Sequence, residues 1–287
     1  MREFTTLGVG RVTVGALLCA GAIGAANAQG SPAEALLNNP FVGSIGGFVL
    51  STDTKARLNG SSATNPDIDF DQTFGNGNDA TRVRADALWR ITPNHHLRFV
   101  YFDNKTNRSR NIDRNVQWGD YTFQAGGVVE AETKFRLFEL AYEYAFMRQQ
   151  NFELSGSLGV HYMELKARLS GNATITDAQG NVSAASFATK QSSVPLPLPV
   201  IGLRAGWAVA PQWYLEGQGQ YFQAKIGDYD GSVTDLRATA TWMFSQNFGL
   251  GLGYNRFTTN VDVERTSFNG HIRTGYSGLL VFATGTF

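Results

Sequence analysis

The chain of 287 residues has a single cysteine, Cys19, which falls in its N-terminal stretch. No intrachain disulfide is available to it, and cysteine-free packing suits an oxidising envelope compartment without relying on crosslinks. Charge of one sign is also missing. Lys and Arg number 24 and Asp and Glu number 24, so a net charge of zero gives no electrostatic reason for a nucleic-acid partner. With four histidines in all, the chain is poor in imidazoles for metal binding or acid–base work. Beyond the N-terminus no apolar run approaches the roughly 18–20 residues that a spanning helix needs. Mean hydropathy is −0.19, the value of a soluble protein. The same average arises when apolar and polar residues alternate strictly, as on strands with one lipid face and one wet face.

That alternation is what the chain has in place of long runs. Between 200 and 221, Ile201, Leu203, Ala205, Trp207 and Val209 interleave with Gly202, Arg204, Gly206 and Ala208. A tight turn, Ala210-Pro211-Gln212, follows, and then Trp213, Leu215, Gly217, Gly219 and Tyr221 interleave with Tyr214, Glu216, Gln218 and Gln220. Period two predicts two strands, and so short a turn joins only antiparallel neighbours.

The N-terminus reads as a removable secretory signal over 1–28. Arg2 and Arg11 supply positive charge, 12–23 is a short apolar stretch, and Ala26-Asn27-Ala28 is an A-x-A cleavage site. Leu18 precedes Cys19 where a lipobox would carry a small residue, so Cys19 belongs to the discarded signal. A lead-in covers 29–40, where Ser31-Pro32-Ala33-Glu34 matches a capping box and predicts a short helix at the periplasmic side or in a barrel mouth.

From residue 41 onwards strands follow one another. The first is expected over 42–58, with Phe48 and Leu50 on one face and Asp53, Lys55 and Arg57 on the other. The second covers 80–91, the third 96–106, the fourth 130–146 and the fifth 152–169. The 200–221 hairpin supplies the sixth and seventh, and 233–244, 248–259 and 272–287 supply the last three. Long polar loops are expected at 59–78, at 107–129 and at 170–197. In the last of these, Pro195, Pro197 and Pro199 predict no regular pairing. Turns after even-numbered strands are short. Trp89, Trp207, Trp213, Trp242, Phe244 and Phe248 gather beside them, and Tyr162 and Tyr221 lie at the far ends.

An even strand count, short turns on one side, long loops on the other and aromatic girdles at both ends make the fold class all-β: a ten-stranded antiparallel up-and-down transmembrane barrel over 41–287, with short periplasmic turns and long extracellular loops. With Phe287 at the C-terminus after alternating apolar residues, the chain resembles the class of small Gram-negative outer-membrane β-barrels. That resemblance implies residence in the outer membrane, contact with its lipid and lipopolysaccharide, and recognition of the C-terminal strand by the barrel insertion machinery. It implies no cofactor.

By parity Arg82, Arg84, Asp86, Arg90, Arg98, Glu139, Glu143, Glu153, Arg204, Glu216, Asp235 and Arg237 point into the lumen. A lone charge in a narrow interior is costly, so these groups are expected to pair in a network that fills the barrel. Water and a charge-lined constriction would instead make a narrow pore for small solutes. On the third strand Val100 and Phe102 break the polar face, which favours the filled lumen. Register places Glu139 beside His161, with Phe146 opposite Phe152, but the nearest hydroxyl on that face of the fifth strand, Ser157, is about 13 Å away at strand rise. That is no catalytic triad.

The omptin proteases, a ten-strand family, carry paired Asp and an Asp-x-His at the outer rim. No Asp-x-His occurs here, nor the His-x-Ser of the lipid A deacylases, since His271 is followed by Ile272 and Arg273. Asp67, Asp69 and Asp71 have the opening spacing of a calcium loop, but Gln72 and Asn78 replace the glycine and glutamate such a loop needs. Arg108, Arg110 and Arg114 in the second outer loop have the chemistry to meet lipopolysaccharide phosphates. The sequence thus favours a structural or surface-interaction barrel acting through its outer loops. A narrow passive pore is the alternative, and a membrane-embedded hydrolase comes last.

Overall fold

Alternating residues with β-branched and aromatic side chains outside and small or polar ones inside form ten antiparallel strands in the computed structural model. It describes residues 30–60, 64–75, 79–177, 179–227, 229–265 and 268–287; the expected signal over 1–28, with Cys19, lies outside them. The strands are β1 (Phe41–Leu58), β2 (Asp79–Arg90), β3 (His95–Asn111), β4 (Val128–Arg148), β5 (Phe152–Thr176), β6 (Val182–Ala210), β7 (Trp213–Ile226), β8 (Tyr229–Met243), β9 (Phe248–Arg265) and β10 (Phe268–Thr286). Each pairs with its neighbours in sequence, and β10 pairs with β1 from Val42↔Thr286 to Leu58↔Gly270, closing the sheet and leaving no edge through the membrane.

The register fixes the barrel's geometry. A rung leaving β1 at Phe41 runs through Trp89, Leu97, Tyr142, Leu158, Ile201, Tyr221, Thr234, Thr258 and Gly275 and returns to β1 at Asp53. The shear is therefore 53 − 41 = 12 residues over ten strands. At roughly 3.3 Å per residue and 4.8 Å between strands, that tilts the strands by about 40°.

The outward face is apolar over a band bounded by aromatics. Trp89, Trp207, Trp213, Trp242, Phe244 and Phe248 lie exposed beside the short turns, while Tyr162 and Tyr221 lie exposed at the outer boundary. From Phe287 to Leu279 the band is eight residues deep, a rise of about 20 Å at this tilt. On β1 the face that carries Phe48 is the inner one. Phe48 turns into the lumen against Phe102 and Tyr276, with ring centroids 5.4 and 5.8 Å away, while Ile45 and Val49 meet the lipid. Asp53, Lys55 and Arg57 consequently stand on the outer wall above the apolar band.

The expected long loops are largely strand. β4 and β5 stay paired to Val129↔Gly171, and β5 and β6 to Thr176↔Val182, so these hairpins project beyond the band. Period-two pairing of small and polar residues reads in sequence as loop. The prolines are accommodated because β6 pairs with β7 only up to Ile201↔Tyr221. Above that point β6 has β5 as its sole partner, so Pro195, Pro197 and Pro199 sit on an edge strand, where a missing N–H breaks no ladder. Between the expected seventh and eighth strands, Tyr229–Gly231 opens β8; Asp228 lies outside the described residues. A bulge between Ala145 and Met147 takes Phe146 out of the expected pairing with Phe152.

The outer ends carry further small elements. Ile68–Asp69 adds to β1, a helix over Phe70–Phe74 follows it, and the hairpin Val116–Trp118/Tyr121–Phe123 joins β5 at Ala173–Ile175. At the periplasmic mouth lies α1, Pro32–Asn38. Its capping box is formed, with Ser31 Oγ accepting from the Glu34 N–H and Glu34 accepting from the Ser31 N–H at 3.0 Å.

Candidate functional site

The lumen is the only interior these strands enclose, and it is filled in tiers. At the periplasmic end α1 buries Ala33, Leu36 and Leu37 against Ala208, Tyr214 and Met243. Arg90, expected in the lumen network, instead donates to the carbonyls of Leu36 and Asn39 at 2.7 and 2.9 Å. Arg148 donates to the Leu37 carbonyl at 2.9 Å. Two cations thus hold the end of a helix whose last carbonyls carry partial negative charge.

Above α1 stands a continuous charge network with contributions from β2 through β8. Arg84 grips Asp86 with Nε and Nη2 at 2.8 and 3.0 Å. Asp86 accepts Arg237 at 2.7 Å, and Arg237 donates to Glu216 at 3.0 Å. Glu216 lies 3.8 Å from Arg98 and 3.6 Å from Arg204. Glu143 receives Arg98 on one oxygen at 2.6 Å and Arg204 on the other at 2.8 Å, and Arg204 also donates to Glu153 at 2.5 Å. Four arginines face four carboxylates, and Arg148 reaches Glu153 from the α1 side at 3.9 Å. Near-balanced charge with direct hydrogen bonds is the arrangement in which buried charge can be tolerated. A small cavity lies between Leu36 of α1 and Asp86, Arg98, Glu216 and Arg237 of this network.

A second polar tier follows. His161 directly opposes Glu139, with Nε2 at 3.3 Å from the carboxylate, and Gln220 bridges them, donating to Glu139 at 2.5 Å. Asp235 accepts Asn255 at 2.5 Å, and Tyr276 donates to Asn255 at 3.1 Å. Asn255 and Tyr276 were not singled out from sequence; both share inward parity with the charges around them, and that was the available signal. Arg82 stands apart at the outer end of β2 with no ion pair among the described residues.

Over these tiers lie the rings of Phe48, Phe102, Phe135, Phe257 and Tyr276, with Phe102 and Tyr276 centroids 4.8 Å apart and Phe257 stacked on Tyr276 at 5.3 Å. Val100 and Phe102, the lapse in the polar face of β3, are both buried in the lumen. This aromatic layer merges with a core made by the outer loops, in which Phe70 meets Phe74 and Trp118 at 5.4 and 5.9 Å.

Each aspartate of the calcium-like spacing has a different cation or amide: Asp67 pairs with Arg57 at 3.4 Å, Asp69 with Lys55 at 3.6 Å and Asp71 with Arg108 at 2.6 Å. Their carboxylates serve as separate braces, and no group of metal-binding side chains occurs among the described residues. Arg108 is likewise not offered to solvent; it is buried and also donates to the Gly75 carbonyl and Thr133. Arg114 donates to Thr73 at 3.2 Å, whereas Arg110 remains exposed.

No family model and no curated protein sequence matches the chain. Solved structures do. The outer membrane protease OmpT from Escherichia coli superposes with a TM-score of 0.53 at 14% identity, covering 87% of this chain and 97% of that one. Ail, the attachment invasion locus protein of Yersinia pestis, aligns over 84% of this chain and 97% of that one, at 7% identity and a TM-score of 0.32. The toluene transporter TbuX of Ralstonia pickettii aligns over 90% and 92%, at 12% identity and a TM-score of 0.35. The OmpT likeness extends to the barrel fold and not to any particular activity. With its closed sheet, lipid-facing band and aromatic girdles, this chain is a ten-stranded transmembrane β-barrel of a Gram-negative outer membrane.

Proposed function

We propose that this protein is a non-conducting and non-enzymatic barrel whose working surface is the extracellular platform built from the first outer loop and the β3–β4 and β5–β6 hairpins. The observation that carries this reading is the filled lumen. Helix, charge network, His161 tier, aromatic layer and loop core follow one another along the axis, and each draws on side chains from opposite walls. A pore needs a continuous wet path with binding weak enough to release. Hydrogen-bonded arginines and interlocked rings offer none.

The histidines support the absence of hydrolytic chemistry. His161 bonds Gln220, His271 bonds Asp262 at 3.0 Å, His95 bonds the Tyr142 hydroxyl and His96 bonds the Pro93 carbonyl. None has a serine or threonine hydroxyl in hydrogen-bond reach to activate. The platform, by contrast, is braced internally by ion pairs and an aromatic core, which suits recognition by a surface of fixed shape.

The test is single-channel recording from refolded Gln29–Phe287 in a planar bilayer, with folding checked first by heat-dependent gel mobility. A silent, folded barrel is expected. Discrete, reproducible current steps would overturn the reading and make Glu143 and Arg204 the next substitutions.

A further inference from the structure

Outside the lumen, one stretch of the outer wall is built differently from its surroundings. Above the last lipid-facing pair, Tyr254↔Leu279, successive outward rungs are Arg256↔Ser277, Thr258↔Gly275 and Asn260↔Arg273. Gly275 has no side chain to fill its place, so a shallow groove opens between the two arginines. The Thr258 hydroxyl reaches over its floor, 3.5 Å from where a Cβ on Gly275 would stand.

Neighbouring cations on this wall are neutralised, Lys55 by Asp69 and Arg57 by Asp67, and Asp262 is held by a hydrogen bond to His271. Arg256 and Arg273 are exposed and have no carboxylate partner among the described residues. They are four residues apart along the strand direction, about 13 Å, so guanidinium groups from the two ends can converge over Gly275. The groove's own acid is Asp53, opposite Gly275 on β1.

We propose that this groove binds a phosphate group of the outer leaflet's phosphorylated glycolipid, with Arg256 and Arg273 as its two forks. Height selects the lipid source. Gly275 lies four residues beyond Leu279, about 10 Å above the apolar band at the barrel's tilt, where the headgroup of a lipid packed against Leu279 and Tyr254 is found. Arginine suits the task because its planar donors match two phosphate oxygens at once.

The experiment measures binding of purified lipopolysaccharide to the folded barrel in detergent, once with intact lipid A phosphates and once after enzymatic dephosphorylation. The intact form is expected to bind, with at least tenfold weaker binding after dephosphorylation and a similar loss in the R256Q/R273Q double variant. In R256K/R273K, which keeps both charges and so guards against misfolding as an explanation, affinity falls several-fold because point charges replace forks. Asp53→Asn binds more tightly. K105Q/K166Q, which removes half-buried cations already held by Glu132 at 3.1 and 3.4 Å, changes nothing. Equal binding of the dephosphorylated lipid, or wild-type affinity in both arginine double variants, would overturn the proposal.

Discussion

The ring of Phe282 lies across Gly251, in the space that a side chain at that position would occupy. On the other flank Phe282 is paired with Gly46, where a Cβ would strike the Val281 carbonyl. One lumen-facing aromatic is thus seated between two glycines on adjacent strands, the large-beside-small packing that fills a closed barrel. Gly251→Val is expected to destabilise the barrel by roughly 1–3 kcal/mol through overpacking, read as a lower temperature for loss of heat-modifiable mobility. In Phe282→Leu the same valine should be nearly neutral. Additive losses in the double variant would mean that the ring does not occupy that space.

Glu143 ties two walls of the lumen together, since each oxygen serves a different buried arginine. Glu143→Gln leaves Arg98 and Arg204 with excess positive charge in a dry interior and is expected to cost about 3–5 kcal/mol. Arg110→Gln, on an exposed residue of β3 outside the network, should change stability by less than about 0.5 kcal/mol. Equilibrium unfolding in urea with the barrel in detergent micelles distinguishes the two. Equal stability of E143Q and wild type would show that the network is hydrated and slack.

The first outer loop is latched at one carboxylate. Asp71 accepts the Thr54 amide at 2.9 Å and Arg108 at 2.6 Å, coupling the loop helix to β1 and β3. Asp71→Ala should free the loop and expose the bonds after Phe70 and Phe74 to chymotrypsin on intact cells, at least tenfold faster than in wild type. Asp67→Ala, which loses only a half-exposed pair with Arg57, should leave the rate unchanged. Similar resistance in both variants would place the latch in the apolar packing of Phe70, Phe74 and Trp118.

Much of this architecture was legible because strand parity is a property of the backbone. Arg204, Glu216 and Arg237 point inward as alternation requires, and Glu139 faces His161 as the turn length requires. Parity says which residues share a face, not which face turns inward. In β1 both faces mix small, apolar and polar residues, and only the neighbours Phe102 and Tyr276 show that Phe48 belongs to the core. Nor does alternation reveal where a strand leaves the membrane. Residues 170–189 are mostly small or polar, with Ile175, Val182 and Phe187 too scattered to mark a face, so their pairing as tall hairpins has no hydrophobic signature. Arg90 and Arg108 illustrate a third limit. Arg90 sits where parity placed it, whereas Arg108, expected in a loop, lies on β3; the partners of both, the carbonyls of α1 and the Asp71 carboxylate, come from segments remote in sequence.

The prolines of β6 make a last point about edges. Pro195, Pro197 and Pro199 have the same parity, so their nitrogens all face one side of the strand, and the ladder between β6 and β7 stops at Ile201↔Tyr221, just below them. Beyond it Phe222–Lys225 of β7 pairs only with β8, from Phe222↔Val233 to Lys225↔Asp230. An N–H row on β6 would be free to meet these carbonyls; proline removes it. Replacing all three prolines with valine should let the ladder zip upward, joining the tall β5–β6 hairpin to β7. Backbone amides of residues 222–225 facing β6 should then exchange with deuterium at least tenfold more slowly. Unchanged exchange would mean that the separation is set by the outer loops, with the prolines merely tolerated at an edge that already existed.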